Sequence, residues 1–266
     1  MRGDSLRVKE IMDAKHPSIH KHELATKARA LIRDLALRIL PVTDENEKLL
    51  GKVSRRDVMA ISSSVSPIRV EGIMTPAKHI ATVEDQAYLT IKQMLKVDVW
   101  YAPVVSDNQE KIYTGVLGLE HFIEPLMKTN PEKFLREVSE VMTRNVLSCS
   151  PDDEVDNIWR LMHEKRLTGL PVTKNGKLVG IVTQKDLLES GAIMPTFESS
   201  KGRFRDSSKI LSVMETNILA VKLPVKIIKV AKLMVSKNIG RVPVIDEDGK
   251  LIGIVDREDV ARLLIK

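Results

Sequence analysis

Four stretches of the chain repeat one pattern of apolar and polar positions. In each, apolar residues first recur at the i, i+3, i+4, i+7 spacing of an amphipathic helix, and two short β-rich runs follow. The third stretch contains the runs GLPVT and KLVGIVT after the helical stripe Val155, Ile158, Trp159 and Met162. Asn175-Gly176 separates those two runs, and Asn-Gly is a strong hairpin signal. The pattern predicts a helix followed by a β-hairpin.

The repeats have fixed internal spacing. Each opens with a methionine, and a proline lies 29 residues later. A glycine follows about ten residues after that proline, and a polar residue lies six residues after the glycine. The opening residues are Met12, Met74, Met142 and Met214, and the final polar residues are Asp57, His121, Asp186 and Asp259. A period of this length, present four times, indicates tandem structural units.

A second helix is predicted after each hairpin, because Ser54, Thr183 and Asp256 are favourable N-cap residues. Each unit is then strand, helix, strand, strand, helix, in the mixed α/β class. We predict four units, at 7–62, 69–128, 137–192 and 209–266. A unit of roughly 55–60 residues buries little apolar surface alone, so we expect units 1 and 2, and units 3 and 4, to pair. The polar segment 128–137 is the predicted linker between the pairs.

The motif G-h-h-[ST]-x-x-D stands at Gly51–Asp57 and Gly180–Asp186, after apolar-Pro-Val runs. With these marks the chain resembles the CBS-domain family over nearly its whole length. The resemblance implies four tandem CBS domains that form two Bateman modules. This layout is similar to that of stand-alone archaeal proteins and of the γ subunit of AMP-activated kinase. Family members typically bind AMP, ADP, ATP or S-adenosylmethionine in the cleft between paired domains.

Unit 3 matches the family motif best. A carboxylate can accept hydrogen bonds from two ribose hydroxyls, and a hydroxyl at a helix N-terminus suits a phosphate. The resemblance therefore implies that Asp186 binds ribose and that Thr183 binds phosphate or caps the helix. It also implies a base pocket for this unit, lined by Thr143, Asn145, Gly169 and Leu170.

Unit 1 matches next, with Ser54 and Asp57 in the same roles. Arg55 and Arg56 could add phosphate contacts. Unit 2 has neither the hydroxyl nor the aspartate, since His121 stands at the aspartate position. We expect its site to be empty or degenerate.

Unit 4 departs from the motif. It keeps Asp259, but Asp256 replaces the hydroxyl and would repel a phosphate. Arg241, two residues before Pro243, occupies a place where the kinase γ subunit carries a phosphate-binding arginine. Unit 4 therefore either binds an adenosine derivative with an uncharged tail, or pairs Arg241 with Asp256 and binds nothing.

Charge adds one further hypothesis. The net charge is +6 and the calculated pI is about 9.3. Segment 199–209 carries Lys201, Arg203 and Arg205 around an aromatic residue, a combination that suits contact with RNA or with a nucleotide phosphate. The alternatives are a solvated linker and, for the whole protein, a role in binding RNA or the ribosome.

Other function classes find little support in the sequence. The six histidines have no metal-ligand spacing, no catalytic motif is present, and the single cysteine cannot form an intramolecular disulfide. Neither a signal peptide nor an apolar run of about 18 residues is visible. We therefore expect a cytoplasmic, non-catalytic regulator without a catalytic cofactor, metal or membrane contact. It would bind an adenine nucleotide or a molecule like S-adenosylmethionine, signal to an unknown target protein, and form a homodimer or an internal pair of modules.

Overall fold

The computed structural model describes residues 6–59, 61, 66–191 and 208–265. Its α-helices are α1 (Val8–Ile11), α2 (Ala25–Asp34), α3 (Arg55–Met59), α4 (Ala87–Lys96), α5 (Leu119–Thr129), α6 (Val155–Glu164), α7 (Gln184–Ser190), α8 (Ile227–Ser236) and α9 (Arg257–Leu264). Its strands are β1 (Ile19–His20), β2 (Ile39–Thr43), β3 (Leu49–Ser54), β4 (Ala81–Thr82), β5 (Tyr101–Val105), β6 (Tyr113–Gly118), β7 (Gly169–Lys174), β8 (Lys177–Thr183), β9 (Val221–Lys222), β10 (Arg241–Ile245) and β11 (Leu251–Asp256).

The predicted mixed α/β class and element order are confirmed. Units 1, 2 and 4 run strand, helix, strand, strand, helix, and each forms a three-stranded sheet. In each sheet the first strand pairs parallel with the second, and the second pairs antiparallel with the third. In unit 3 the first strand is reduced to one parallel bridge between Cys149 and Val172.

Each unit makes the corner between its first helix and its hairpin in the same way. The residue five before each proline adopts a left-handed conformation, with φ between 49° and 56°, at Ala36, Asp98, Arg166 and Asn238. The predicted turn between β7 and β8 is also observed, since Asn175 and Gly176 have φ of 53° and 77°. Each of these corners carries the chain from the first helix of a unit into the following strand. The corner thereby fixes where the cleft beside that strand lies.

The predicted apolar stripes form the core. Val155, Ile158 and Met162 are buried on α6, while Trp159 is partly buried against the same cluster. The predicted linker is also anchored, because residues Pro131–Leu135 form a 3₁₀ turn in which Phe134 is fully buried. Each core is thus built from the positions that the 3.6-residue period marks.

Paired units exchange their opening segments. The segment after each opening methionine pairs with the third strand of the partner unit. The bridges are Asp13 to Val116 and Lys52 to Thr75 in the first module, and Thr143 to Ile254 and Ile181 to Glu215 in the second. Each cleft is therefore closed by the opening segment of one unit and the hairpin of the other.

The two modules pack against each other within one chain. One hydrophobic cluster joins unit 1 to unit 3, and a second joins unit 2 to unit 4. Helices α2 and α3 contact α7 across the first interface, and α5 contacts α8 and α9 across the second. The four units thus contact one another in a ring, and a single chain forms the internal module pair that was one of the two predicted arrangements.

Candidate functional site

The motif aspartate of unit 3 closes the first turn of its helix. The Asp186 Oδ2 atom accepts hydrogen bonds from the backbone N–H and the hydroxyl of Thr183, both at 2.8 Å. Thr183 is the N-cap of α7, since its Oγ1 accepts from the Asp186 N–H at 3.3 Å. Because Oδ2 takes both hydrogen bonds, Oδ1 remains available as an acceptor. Burial raises the pKa of the Asp186 carboxyl above its usual value.

Asp186 and Thr183 line a cavity of 360 Å³ between units 3 and 4, here called the unit 3–4 cavity. Its other lining residues are Ala36, Arg38, Arg55, Thr168, Ile181, Lys185, Glu215, Asn217, Ile218, Leu219, Lys237, Asn238, Ile239, Gly240, Arg241 and Pro243. Unit 4 contributes its opening segment and the corner before β10, and unit 1 contributes from across the module interface. The cavity therefore combines a carboxylate, apolar side chains and backbone edges from three units.

The four predicted base-pocket residues are separated in the structure. Thr143 and Asn145 lie on the opening segment that crosses to unit 4, where Thr143 exchanges two backbone hydrogen bonds of 2.9 Å with Ile254. Leu170 is buried in the core, and Gly169 turns its carbonyl to Arg241. Gly169 pairs with Thr183 in the β7–β8 hairpin and so stays beside the motif. The expected grouping of Thr143 and Asn145 with Asp186 is corrected, because the opening segments are exchanged between paired units. The segment 215–219 takes their place.

A larger cavity of 520 Å³, the junction cavity, lies where all four units meet. Its lining comprises Arg38, Ile39, Ser54, Arg55, Arg56, Lys78, Asp98, Trp100, Tyr101, Met162, Arg166, Leu167, Thr168, Gln184, Arg241, Asp256 and Glu258. Six of these side chains are basic and three are acidic, so the lining carries a positive excess. Arg38, Arg55, Thr168 and Arg241 line both cavities, which makes the two spaces neighbours.

Arg241 separates the two spaces. Its guanidinium donates to the Gly169 carbonyl and to Thr168 Oγ1, the latter at 2.5 Å, and lies 6.0 Å from the centre of the Trp100 ring. Burial lowers the pKa of Arg241 to about 10, which leaves it protonated at neutral pH. In the described part of the chain it forms no ion pair with Asp256. Unit 3 therefore fixes the Arg241 guanidinium by two hydrogen bonds, at a position beside both cavities.

The two arginines proposed as phosphate contacts in unit 1 have protein partners. Arg55 donates to the carbonyls of Leu37 and Ala36, at 2.8 and 2.5 Å, and so holds the corner of its own unit. Burial lowers the pKa of Arg55 to about 10. Arg56 reaches unit 3, with its Nε 3.2 Å from His163 Nδ1. Both still line the junction cavity.

The remaining motif residues of unit 1 lie beside the junction. Ser54 lines the junction cavity, and its backbone N–H and hydroxyl donate to Asp57 Oδ2 at 2.7 and 2.6 Å. Lys52 Nζ lies 3.9 Å from the same oxygen. The Asp57 carboxylate thus closes the first turn of its helix, as Asp186 does in unit 3. Asp57 has the Lys52 cation nearby, whereas Asp186 lines a cavity.

Unit 4 holds two adjacent carboxylates. Asp256 is the N-cap of α9, and its own backbone N–H donates to Asp259 Oδ2 at 2.9 Å. Burial and the neighbouring Asp256 raise the pKa of Asp259 to about 7, and burial raises that of Asp256 as well. Asp259 lines a separate 200 Å³ cavity with Arg136 and Arg262. The predicted unit 4 residues therefore lie at different places: Arg241 lines the two larger cavities, and Asp259 lines only the smaller one.

This carboxylate pair predicts a pH dependence of stability. The folded-state pKa of Asp259 lies above its ordinary value, so the folded protein binds the proton more tightly than the unfolded chain. The stability that this proton contributes is present below the unfolded-state pKa and is lost as the pH rises from about 4 to about 7. We expect the melting temperature of Asp259→Asn to fall less over this range than that of the wild type. An Asp248→Asn control should follow the wild type, and equal slopes for all three proteins would contradict the prediction.

Three further sequence-based expectations concern the basic segment, a metal site and membrane contact. Lys201, Arg203 and Arg205 lie outside the described residues. Among the residues that are described, no group of three or more His, Cys, Asp or Glu side chains could hold a metal ion. Over the same residues, every helix is too short or too polar to span a bilayer.

Comparison with known proteins identifies the family. The CBS-domain family model matches residues 8–64, 138–192 and 210–266, which is more than half of the chain. Protein MJ1225 of Methanocaldococcus jannaschii is 27% identical over 214 residues, covering 79% of this chain and 73% of that protein. Its crystal structure superposes with a TM-score of 0.85 at 22% identity, over 97% of this chain and 100% of that one. The chain therefore belongs to the CBS-domain family.

Two further relatives match different shares of this chain. An uncharacterized conserved protein from Pyrococcus horikoshii has a TM-score of 0.65 at 22% identity, over 97% of this chain and 100% of that one. Homoserine O-acetyltransferase of Methanohalobium evestigatum is 34% identical over 128 residues, which are 48% of this chain but only 24% of the enzyme. The likeness to that enzyme is thus confined to a minor part of it.

Proposed function

We propose that this CBS-domain protein is a non-catalytic regulatory sensor that binds an adenine nucleotide in the unit 3–4 cavity. The observation that carries the proposal is the Asp186 carboxylate, which lines the cavity with Oδ1 free of its capping role. Two ribose hydroxyls can donate to such a carboxylate. The cavity volume of 360 Å³ falls in the range of small-molecule sites, about 300–1,000 Å³.

The base would lie against unit 4. Ile218, Ile239 and Pro243 provide apolar surface in the cavity for the faces of an adenine ring. The backbone around Asn217 and Gly240 offers donors and acceptors for the polar edge of that ring. This arrangement explains why side-chain identity alone reveals little about the base.

The phosphates would point toward the junction cavity. Arg241 and Arg38 line both spaces, and Lys78 and Arg166 line only the junction cavity. A tail of two or three phosphates therefore gains cations that a single phosphate does not reach. The positive lining favours ADP and ATP over AMP in this cavity, and it disfavours the positively charged sulfonium of S-adenosylmethionine.

Regulation follows from the position of the ligand. The unit 3–4 cavity is lined by units 1, 3 and 4, and the junction cavity is lined by all four. A nucleotide that contacts both modules would favour one arrangement of the modules over others, by its difference in affinity for the two. A target protein that binds one arrangement would then respond to the nucleotide.

The double variant Lys78→Ala/Arg166→Ala tests the direction of the tail. Both side chains are exposed and line only the junction cavity, so the fold should be preserved. We expect the affinity for ATP to fall about fivefold and that for AMP to stay unchanged, because about 1 kcal/mol is lost with two partly screened charge pairs. Isothermal titration calorimetry with AMP, ADP and ATP measures the difference.

The matched control is Lys96→Ala/Lys174→Ala, which removes two exposed cations outside both cavities. It should bind all three nucleotides as the wild type does. Equal losses for AMP and ATP in the cavity variant would contradict the proposed path of the phosphates. Absence of binding by the wild type to every adenine nucleotide would overturn the proposed function itself.

A further inference from the structure

Helix α8 of unit 4 carries an unbalanced positive charge. Between Glu215 and Asp246 the chain has six basic residues and no acidic one. The corresponding stretches of the other three units contain residues of both signs. Three of the six basic residues, Lys226, Lys229 and Lys232, lie at the N-cap and on the exposed side of α8. These three residues are here called the lysine row.

The lysine row follows one side of the helix. A separation of three residues advances about 4.5 Å along a helix axis and keeps neighbouring side chains on one face. The buried side of α8 is formed by other positions, which are Ile227, Val230, Ala231 and Met234. The row therefore presents three cations to solvent over roughly 9 Å of helix.

The three lysines lack acidic partners. Exposed lysines on other helices are paired at i, i+4, as Lys27 is with Glu23 at 2.6 Å on α2. Helix α8 contains no acidic residue, and over the described residues the side chains of the lysine row form no ion pair. The charge of the row is thus left unbalanced by its own helix.

The opening segment of unit 3 passes the start of the row without balancing it. Glu137 forms a backbone bridge with Lys226, and within the described structure no ion pair joins their side chains. Glu140 of the same segment is bound to Arg136 at 2.6 Å. The nearby acidic residues therefore leave the three cations available to a partner.

This arrangement lowers the stability of α8. Like charges three residues apart on a helix repel each other. A cation at the start of a helix, as at Lys226, also opposes the helix dipole. An anion bound along the row would offset both effects, so the row is suited to a negatively charged partner.

The rest of the helix surface indicates what kind of anion fits. The exposed large apolar side chains of the described chain include none from α8. Protein interfaces are depleted in lysine and depend on apolar or aromatic anchors, and a helix that lies on a membrane needs large apolar residues beside its lysines. Contacts with the phosphates of a nucleic acid require only cations. The lysine row therefore fits a nucleic acid better than an acidic protein or a lipid surface.

The shape of the surface favours a single strand. The row lies on one convex helix, and a flexible strand can follow such a surface. A DNA duplex has a persistence length of about 50 nm and stays straight over this distance, so it would present few phosphates to the row.

We propose that the lysine row binds a single-stranded nucleic acid through its phosphates, without reading its bases. Lysine is a point charge on a flexible stem and can reach successive phosphates. Helix α8 has no aromatic residue to stack on a base and no Arg, Asn or Gln to read one. The inference does not depend on the nucleotide of the unit 3–4 cavity, because the three lysines line neither that cavity nor the junction cavity.

The triple variant Lys226→Gln/Lys229→Gln/Lys232→Gln tests the row in the full chain. Glutamine matches lysine in helix propensity and removes the charge, so α8 should stay folded. The probe is a fluorescently labelled polyuridylate of about 20 nucleotides, titrated by anisotropy between about 50 and 200 mM salt. We expect the variant to bind at least tenfold more weakly at the lower salt concentration. The slope of log affinity against log salt should fall by about 2, since each contact with a single strand contributes about 0.7.

The matched control is Lys92→Gln/Lys96→Gln/Lys174→Gln, which removes the same charge from exposed lysines outside α8. It should bind polyuridylate as the wild type does. Equal losses in the two triple variants would show that only net charge attracts the strand, and would overturn the proposal. Failure of the wild type to bind polyuridylate would also overturn it. Tighter binding of a polyglutamate of equal charge would assign the row to an acidic protein instead.

Discussion

Replacing Arg257 by alanine is expected to lower the free energy of unfolding by about 3–5 kcal/mol. Arg257 is fully buried at the interface between units 2 and 4, where it forms a 2.9 Å ion pair with Glu120 and donates to Tyr101 and Asn238. Without the guanidinium, the Glu120 carboxylate would lose its cation in a site where only 16% of its side chain is exposed. An unpaired buried charge costs more than the pair itself contributes, which sets the size of the effect.

Two further observations support this estimate. The Glu120 Oε2 atom is buried without a partner, so the carboxylate has no reserve hydrogen bond in the described structure. Burial raises the pKa of Tyr101, which keeps its hydroxyl protonated and able to donate to Glu120 Oε1 at 2.7 Å. The tyrosine alone cannot replace the positive charge. The carboxylate would then either become protonated or draw water into the interface.

Urea denaturation measures the effect, and Arg262→Ala is the matched control. Arg262 lies on the same helix and pairs with Glu258, but its side chain is 50% exposed. Its removal should cost no more than about 1 kcal/mol. A loss of similar size in the two variants would show that the Arg257 network does not stabilise the interface between the modules.

Replacing Asp186 by alanine is expected to weaken adenine-nucleotide binding about 100-fold. Two hydrogen bonds from ribose hydroxyls to a carboxylate are worth about 1.5 kcal/mol each or slightly more, and the variant loses both. The variant also loses the hydrogen bonds that Oδ2 accepts from Thr183, so a small loss of stability accompanies it. Calorimetric titration with ATP separates the two effects, because affinity and melting temperature are measured independently.

Asp153→Ala is the control for the capping loss. Asp153 Oδ2 accepts from the Ser150 N–H at 2.8 Å in the same unit, but Asp153 does not line the unit 3–4 cavity. This variant should lose comparable stability and keep the affinity for ATP. If Asp186→Ala binds ATP as Asp153→Ala does, ribose is not held by Asp186.

The repeat made much of the fold predictable. The helical stripes, the Asn175-Gly176 turn and the Thr183 and Asp256 caps depend on residues close in sequence, so local pattern was sufficient. The positions of the clefts depend on the exchange of opening segments between paired units. No spacing within one unit reveals that exchange, and for this reason Thr143 was grouped with Asp186 instead of with Ile254.

The junction between the modules was the least predictable part. Arg38 lines both the unit 3–4 cavity and the junction cavity and contacts units 2 and 4, yet in the sequence it is one arginine beside a strand. The Glu120–Arg257 pair joins residues 137 positions apart in two different units, one and two positions before the final polar residue of the motif, respectively. Their opposite charges stand at adjacent motif positions, but only the packed structure shows that the two side chains pair.

Hydrogen–deuterium exchange of the wild-type chain with and without saturating ATP tests the central claim most directly. If the nucleotide binds between units 3 and 4, ATP should slow exchange of the backbone amides in segments 215–219 and 237–241 and at the start of α7. The corresponding segments of unit 1, 13–16 and 35–38, should change less. Protection confined to the first module, or absent at saturating ATP, would contradict the assignment of the nucleotide to the unit 3–4 cavity.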